Sequence, residues 1–129
     1  MHALINNLPQ RLIDAAPDAI IFADGDGVIR LWNHGAETLF DYTAEEAIGN
    51  TLDLIVPESF RAAHWVGFRR AIATGHFAKD ASYLTSRALT KSGQTIYVEL
   101  SAAIICNDTK QPVGIMAIGR DVTARYKRD

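Results

Sequence analysis

The chain is predicted to fold as one α+β domain, a five-stranded antiparallel sheet with helices packed on one face and an amphipathic helix in front. Three observations carry this expectation. The turn Asp24-Gly25-Asp26-Gly27 separates two short apolar runs, the mark of a hairpin. Ile96, Val98, Leu100, Ala102 and Ile104 alternate with Tyr97, Glu99 and Ser101, the period of two expected of a half-buried strand. Between these β regions come successive helix signals. Strands joined by tight turns pair antiparallel, so helices inserted in mid-chain must cover one face of the sheet, with a pocket between.

Taken in order, Leu4, Ile5, Leu8, Leu12 and Ala15 fall at helical spacing with Arg11 and Asp14 between them, and Pro9 fits near a helix start. Residues 19–23 and 28–32 form the hairpin strands. Asn33 caps a short helix carrying Ala36, Leu39 and Phe40, and Thr43-Ala44-Glu45-Glu46 reads as a capping box opening a second helix that Gly49 stops. A longer helix begins near Pro57 and ends at Gly75. A strand over residues 77–90, the turn Lys91-Ser92-Gly93-Gln94, the alternating strand, a turn over 107–112 and a last strand over 113–122 complete the sheet.

At 129 residues and 48% apolar content the chain suits one domain with a real core. Its 13 basic and 15 acidic residues are scattered, for a net charge of -2, which argues against direct nucleic-acid binding and against an anionic membrane surface. One cysteine, Cys106, excludes an internal disulfide and suits a reducing compartment. There is no signal peptide at Met1, and the apolar runs fall short of the roughly 20 residues of a membrane span. A soluble, cytoplasmic domain is expected.

The most informative side chain is His64. The long helix places Phe60, Ala63, His64, Gly67, Phe68 and Ala71 on one stripe, a face that should look into the core, where an imidazole invites a ligand. The simpler reading is a core histidine satisfied by a backbone carbonyl. His34 and His76 read as surface residues at helix ends, His2 precedes any element, and the four histidines lack metal-ligand spacing. Met116 reads as a core filler before a ligand. Asp24 and Asp26 are turn formers, and no catalytic triad, phosphate loop or zinc-hydrolase motif is present, so the domain is not expected to be an enzyme.

Together, Pro17-Asp18-Ala19-Ile20, Asp24 to Ile29, Trp32-Asn33, Ala36-Glu37, Leu39-Phe40, Tyr42, Ala47-Ile48-Gly49, Leu54-Ile55-Val56-Pro57, Lys91-Ser92-Gly93 and Gly119-Arg120-Asp121-Val122-Thr123 resemble the PAS domain, a sensory module of bacterial kinases, cyclic-di-GMP enzymes and transcription regulators. The stretch from Pro17 to Gly93 is similar to haem-binding oxygen-sensor PAS domains of the FixL type. That resemblance implies haem b with His64 as iron ligand and Arg70 and Arg61 as propionate partners, while Gly67 leaves room for the macrocycle and Leu100 and Ala102 line the opposite wall. Leu84 stands where oxygen sensors keep a distal arginine and Ser82 where a redox-sensing group keeps methionine, so the distal side would be apolar and favour CO or NO over O2. Cys106 lies at a strand end, outside the helix in which flavin photosensors hold their reactive cysteine. The resemblance also makes Asp121 and Thr123 a relay junction, Thr123 capping an exit helix and Arg120 or Arg125 pairing with Asp121.

The expected organisation is a leading dimerisation helix at 1–16, a sensor domain at 17–123 and the start of an exit helix at 124–129 leading to an effector. Three roles compete: a haem-based gas or redox sensor, a sensor of a small organic metabolite held by His64, Arg70 and Ser82, and a ligand-free module that dimerises and relays.

Overall fold

The structure, a computed structural model, describes residues 5–78 and 84–127. The expected architecture is present: a five-stranded, wholly antiparallel sheet in the order β2-β1-β5-β4-β3, with the helical segment between β2 and β3 against one face. The strands are β1 (Ala19–Asp24), β2 (Ile29–Trp32), β3 (Leu84–Leu89), β4 (Thr95–Cys106) and β5 (Pro112–Asp121). The helices are α1 (Leu8–Ala15), α2 (His34–Phe40), α3 (Ala44–Ala47), α4 (Glu58–Thr74) and α5 (Thr123–Lys127). Among the described residues no helix is long and apolar enough to cross a membrane.

The local signals act as expected. The Asp24 carboxylate accepts from the amides of Asp26 and Val28 at 3.0 and 3.1 Å and pairs with Arg30 at 2.8 Å, closing the β1–β2 turn; these contacts hold its carboxyl below the usual carboxylate range, Arg30 most of all. Thr43 and Glu46 form the reciprocal capping box of α3, and Gly75, in the left-handed region, ends α4.

Other expectations are corrected. The leading helix starts at Leu8, and of its apolar residues Leu8 and Leu12 are exposed while Ile13 is half-buried. Leu4 and His2 lie outside the described residues. Of the strand expected over 77–90, Leu84–Leu89 forms β3 on the sheet edge, residues 77 and 78 lie outside any strand, and 79–83 fall outside the described residues. A 3-10 turn, Leu52–Leu54, was not foreseen; Thr51 caps it, and Thr51 also bridges Val28.

The densest core lies where β1, β2 and β4 meet α2 and α3, around Ile21, Ile29, Trp32, Phe40 and Val98, with the Trp32 and Phe40 rings 5.3 Å apart. Under α4 the inner face of the sheet carries small residues instead, Ala19, Ala102, Ala117 and Gly119. Side-chain volume is missing there, and the gap is not closed. A Cβ at Gly119 would strike the Leu100 side chain at 2.4 Å, so only glycine lets Leu100 lie across β5. Met116 sits between the cavity-facing Ile115 and Ala117 and pairs with Phe22 and Ala103; strand alternation puts it on the opposite face. It is neither a filler of the core under α4 nor within reach of His64.

Candidate functional site

A cavity of about 680 Å³ lies between the inner sheet face and α4, within the range of roughly 300–1,000 Å³ usual for small-molecule sites. A second lobe of about 400 Å³ adjoins it, and His64, Leu84 and Leu100 line both. The walls are almost wholly apolar; the first lobe is bounded by Phe40, Leu52, Ile55, Val56, Phe60 and Val98, and its polar side chains are His64, Ser86 and Arg87.

Of the residues singled out from sequence, the fold brings His64, Leu84, Leu100, Gly67, Phe68 and Ala102 around this space. The helical stripe does point at the sheet, yet it faces a void more than a packed core. Phe68 and Ala71 are buried, but Phe60 remains 39% exposed, as does Leu84 at 44%. A Cβ at Gly67 would meet nothing within 4 Å, so that position opens onto free space. Arg61 and Arg70 line neither lobe. The Arg61 guanidinium is committed to the carbonyls of Val56 and Asp53 at 3.0 and 3.2 Å, and Arg70 is exposed. Ser82 lies outside the described residues.

His64 Nδ1 is sealed from solvent and has no hydrogen-bond partner among the described residues. Its ring packs edge-on to Trp65 at 4.8 Å and near Phe68 at 6.0 Å. Burial pushes its pKa down, opposed in part by the Asp53 carboxylate, so the imidazole is neutral at pH 7. The folded state therefore binds fewer protons here than the unfolded chain, and stability falls as pH drops below the ordinary histidine value of about 6.5. Replacing His64 by Gln should flatten the decline in Tm between pH 7.5 and pH 5; an unchanged slope would place the effect elsewhere.

The exit junction differs from expectation in a specific way. The Asp121 carboxylate accepts from the Thr123 amide at 2.7 Å, so Asp121 supplies the cap of α5. The Thr123 hydroxyl oxygen instead accepts from the Tyr97 amide at 2.9 Å. Arg120 and Arg125 pair with Glu99 at 2.8 and 3.4 Å, not with Asp121. Three contacts converge on Tyr97: the Thr123 hydroxyl, the Val122 amide donating to its carbonyl at 2.8 Å, and the Tyr126 ring stacked at 4.7 Å. Arg87, the register partner of Tyr97 on the edge strand, curls round that edge. Its guanidinium lies 5.6 Å from the Tyr97 ring and 5.9 Å from Phe60 at the cavity mouth. Arg87, Tyr97 and Tyr126 are not marked by the sequence: a lone arginine in an edge strand, a tyrosine in an alternating run and one in the exit helix carry no local signal for such a stack.

A sheet floored with small residues, roofed by one long helix and holding a ligand-sized void defines a cavity-bearing α+β domain. The chain belongs to the PAS fold family, whose pattern matches residues 13–127. A PAS domain from Colwellia psychrerythraea is similar at 30% identity with a TM-score of 0.76, over 92% of this chain and 98% of that one. The PAS domain of a two-component sensor histidine kinase shares the fold at 18% identity and TM-score 0.70, over 94% and 99% of the two chains. An RNA-binding light-oxygen-voltage receptor shares it at 24% identity and TM-score 0.77, over all of this chain and 36% of that one. An uncharacterised protein of Azorhizobium caulinodans is 34% identical over 91 residues, 70% of this chain, and the chain spans 12% of that protein's length. These likenesses support the PAS family as a whole and lend no support to the narrower FixL-type resemblance.

The side chains do not fit haem in the expected arrangement. A metal-ligating histidine ordinarily donates its other ring nitrogen to a carbonyl or carboxylate, and the sealed Nδ1 of His64 has no such acceptor among the described residues. The two arginines expected at the propionates stand outside the cavity.

Proposed function

We propose that this chain is the sensory input module of a cytoplasmic signal-transduction protein, with residues 17–123 as the sensor. A small, largely apolar ligand occupies the cavity under α4, and its occupancy is relayed to an effector through α5. The observation that carries this reading is the continuity between cavity and exit helix: Phe60 and Arg87 line the cavity, Arg87 packs on Tyr97, and Tyr97 holds Thr123 and Tyr126. A ligand that displaces Phe60 or Arg87 changes the surroundings of the residue that anchors α5. Histidine kinase, cyclic-di-GMP enzyme and transcription regulator are the effector classes such a module serves.

A thermal-shift screen of apolar metabolites tests it, since a ligand bound only by the folded state raises Tm by mass action. Ala117 floors both lobes. The Ala117→Phe variant should fold and lose affinity for any hit about 100-fold or more, because the ring occupies the ligand's volume. Undiminished binding in that variant would refute the cavity as the site.

Haem b, whose expected arrangement the side chains do not fit, keeps one feature in its favour, the His64 imidazole that lines both lobes. A stoichiometric Soret band that shifts with CO and vanishes in His64→Ala would establish it, and would make the domain a gas or redox sensor. The third reading, a ligand-free homodimerising relay, draws on the exposed apolar stripe of α1. Deleting residues 1–16 would then yield a monomer, and no small molecule would stabilise the domain.

A further inference from the structure

Resting on the reading of the cavity as a ligand site, we infer that the ligand is an apolar anion, its hydrocarbon body under α4 and its carboxylate or phosphate head on Arg87. The walls offer an apolar body almost continuous contact and few polar groups. Arg87 is the one cationic side chain of either lobe among the described residues, His64 being neutral at pH 7. Its guanidinium donates no hydrogen bond to any described residue and pairs with no described carboxylate; the Phe60 and Tyr97 rings lie 5.9 and 5.6 Å from it. The carboxylate on the same sheet face, Glu99, is held by Arg120 and Arg125. Arg87 therefore keeps its in-plane donors for a planar or tetrahedral oxyanion, which a guanidinium grips with two parallel N–H bonds. A wholly apolar ligand would leave that charge idle at the mouth, and a strongly polar one would be stripped of water against leucine, phenylalanine and alanine with nothing to replace it.

Titration calorimetry on the intact chain with decanoate, decyl phosphate and decanol, which share one alkyl body, separates head from tail. At least one anion should bind about tenfold more tightly than decanol, the gain expected of a charge-assisted hydrogen-bond pair partly open to water. Arg87→Gln should abolish that preference, with its far-UV circular dichroism and cooperative thermal unfolding reporting that the variant is folded. Arg87→Lys, which keeps the charge without the fork, should retain only part of the preference. Equal binding of all three probes, or an anion preference that survives Arg87→Gln, overturns the inference and leaves the cavity as a ligand site. Failure of every probe to bind, with a different class of hit from the thermal screen, likewise overturns it; failure of both experiments removes the ligand-binding reading as well.

Discussion

Asn33→Ala should destabilise the domain by about 3–5 kcal/mol, since buried groups deprived of partners each cost roughly 1–3 kcal/mol. The sequence marks Asn33 only as the cap of α2, and it does accept from the Ala36 amide at 2.9 Å. In the fold it is 1% exposed and its side-chain amide is fully engaged. Oδ1 also accepts from the Ile20 amide at 2.7 Å, while Nδ2 donates to the carbonyls of Ile13 and Asp18 at 2.7 and 3.0 Å. One side chain thus ties together α1, the entry to β1 and the start of α2. Alanine removes every one of these bonds, depriving the amides of Ile20 and Ala36 and the carbonyl of Asp18, while the Ile13 carbonyl keeps the Ala16 amide at 3.4 Å. Asn33→Asp keeps the acceptor but turns an anion toward two carbonyls, so it too should lower stability. Thermal unfolding of the three proteins measures this, with Tm shifts of roughly 10–20 °C expected. A loss no larger than a surface cap, about 1 kcal/mol, would show that the bridging bonds contribute little.

Trp65→Ala should cost about 2–4 kcal/mol and weaken binding in the cavity, because Trp65 fixes the roof helix to the hairpin. Its indole nitrogen donates to the Asp53 carboxylate at 2.7 Å, and its ring meets Phe68 edge-on at 5.4 Å. The ring also lies over the β1–β2 turn so closely that a Cβ at Gly27 would sit 2.2 Å from it. Gly27 additionally holds φ at +80°, where other residues are strained. Gly27→Ala should therefore be destabilising on both counts. A double-mutant cycle separates them: in the Trp65→Ala background the steric part disappears and only the backbone strain, about 1 kcal/mol, remains. Additive losses would mean that the indole does not bear on the turn. The affinity of any cavity ligand should fall in Trp65→Ala while remaining nearly unchanged in a Val66→Ala control, since Val66 is 66% exposed.

What could be read from the residues follows from the range over which each signal acts. The Asp24 to Gly27 turn, the Thr43 and Glu46 capping box and the Gly75 stop are settled by bonds between residues within a few positions, so their sequence is sufficient. The inward direction of His64 followed from the helical period alone. The void in front of it did not, because a cavity is the absence of side chains from several strands at once: Ala19 comes from β1, Ala102 from β4, and Ala117 and Gly119 from β5. Each reads locally as an ordinary small strand residue.

The same limit explains the corrected roles. Thr123 beside Asp121 reads as a helix cap, yet its hydroxyl is drawn to Tyr97, 26 positions away, once β4 and β5 pair. Arg61 on the flank of α4 is expected at a haem propionate, and the carbonyls of Asp53, in the 3-10 turn, and of Val56 take its guanidinium instead. Sequence by itself determined the main helices and strands, their antiparallel pairing, the PAS family and the face of α4 that looks at the sheet, because periodicity, turn chemistry and capping are local. Only the tertiary structure decided that this face encloses an open apolar cavity, that Arg87 is its charged group and that Tyr97 joins it to the exit helix. Those facts depend on which distant side chains the strand register sets side by side, and no residue carries that information alone.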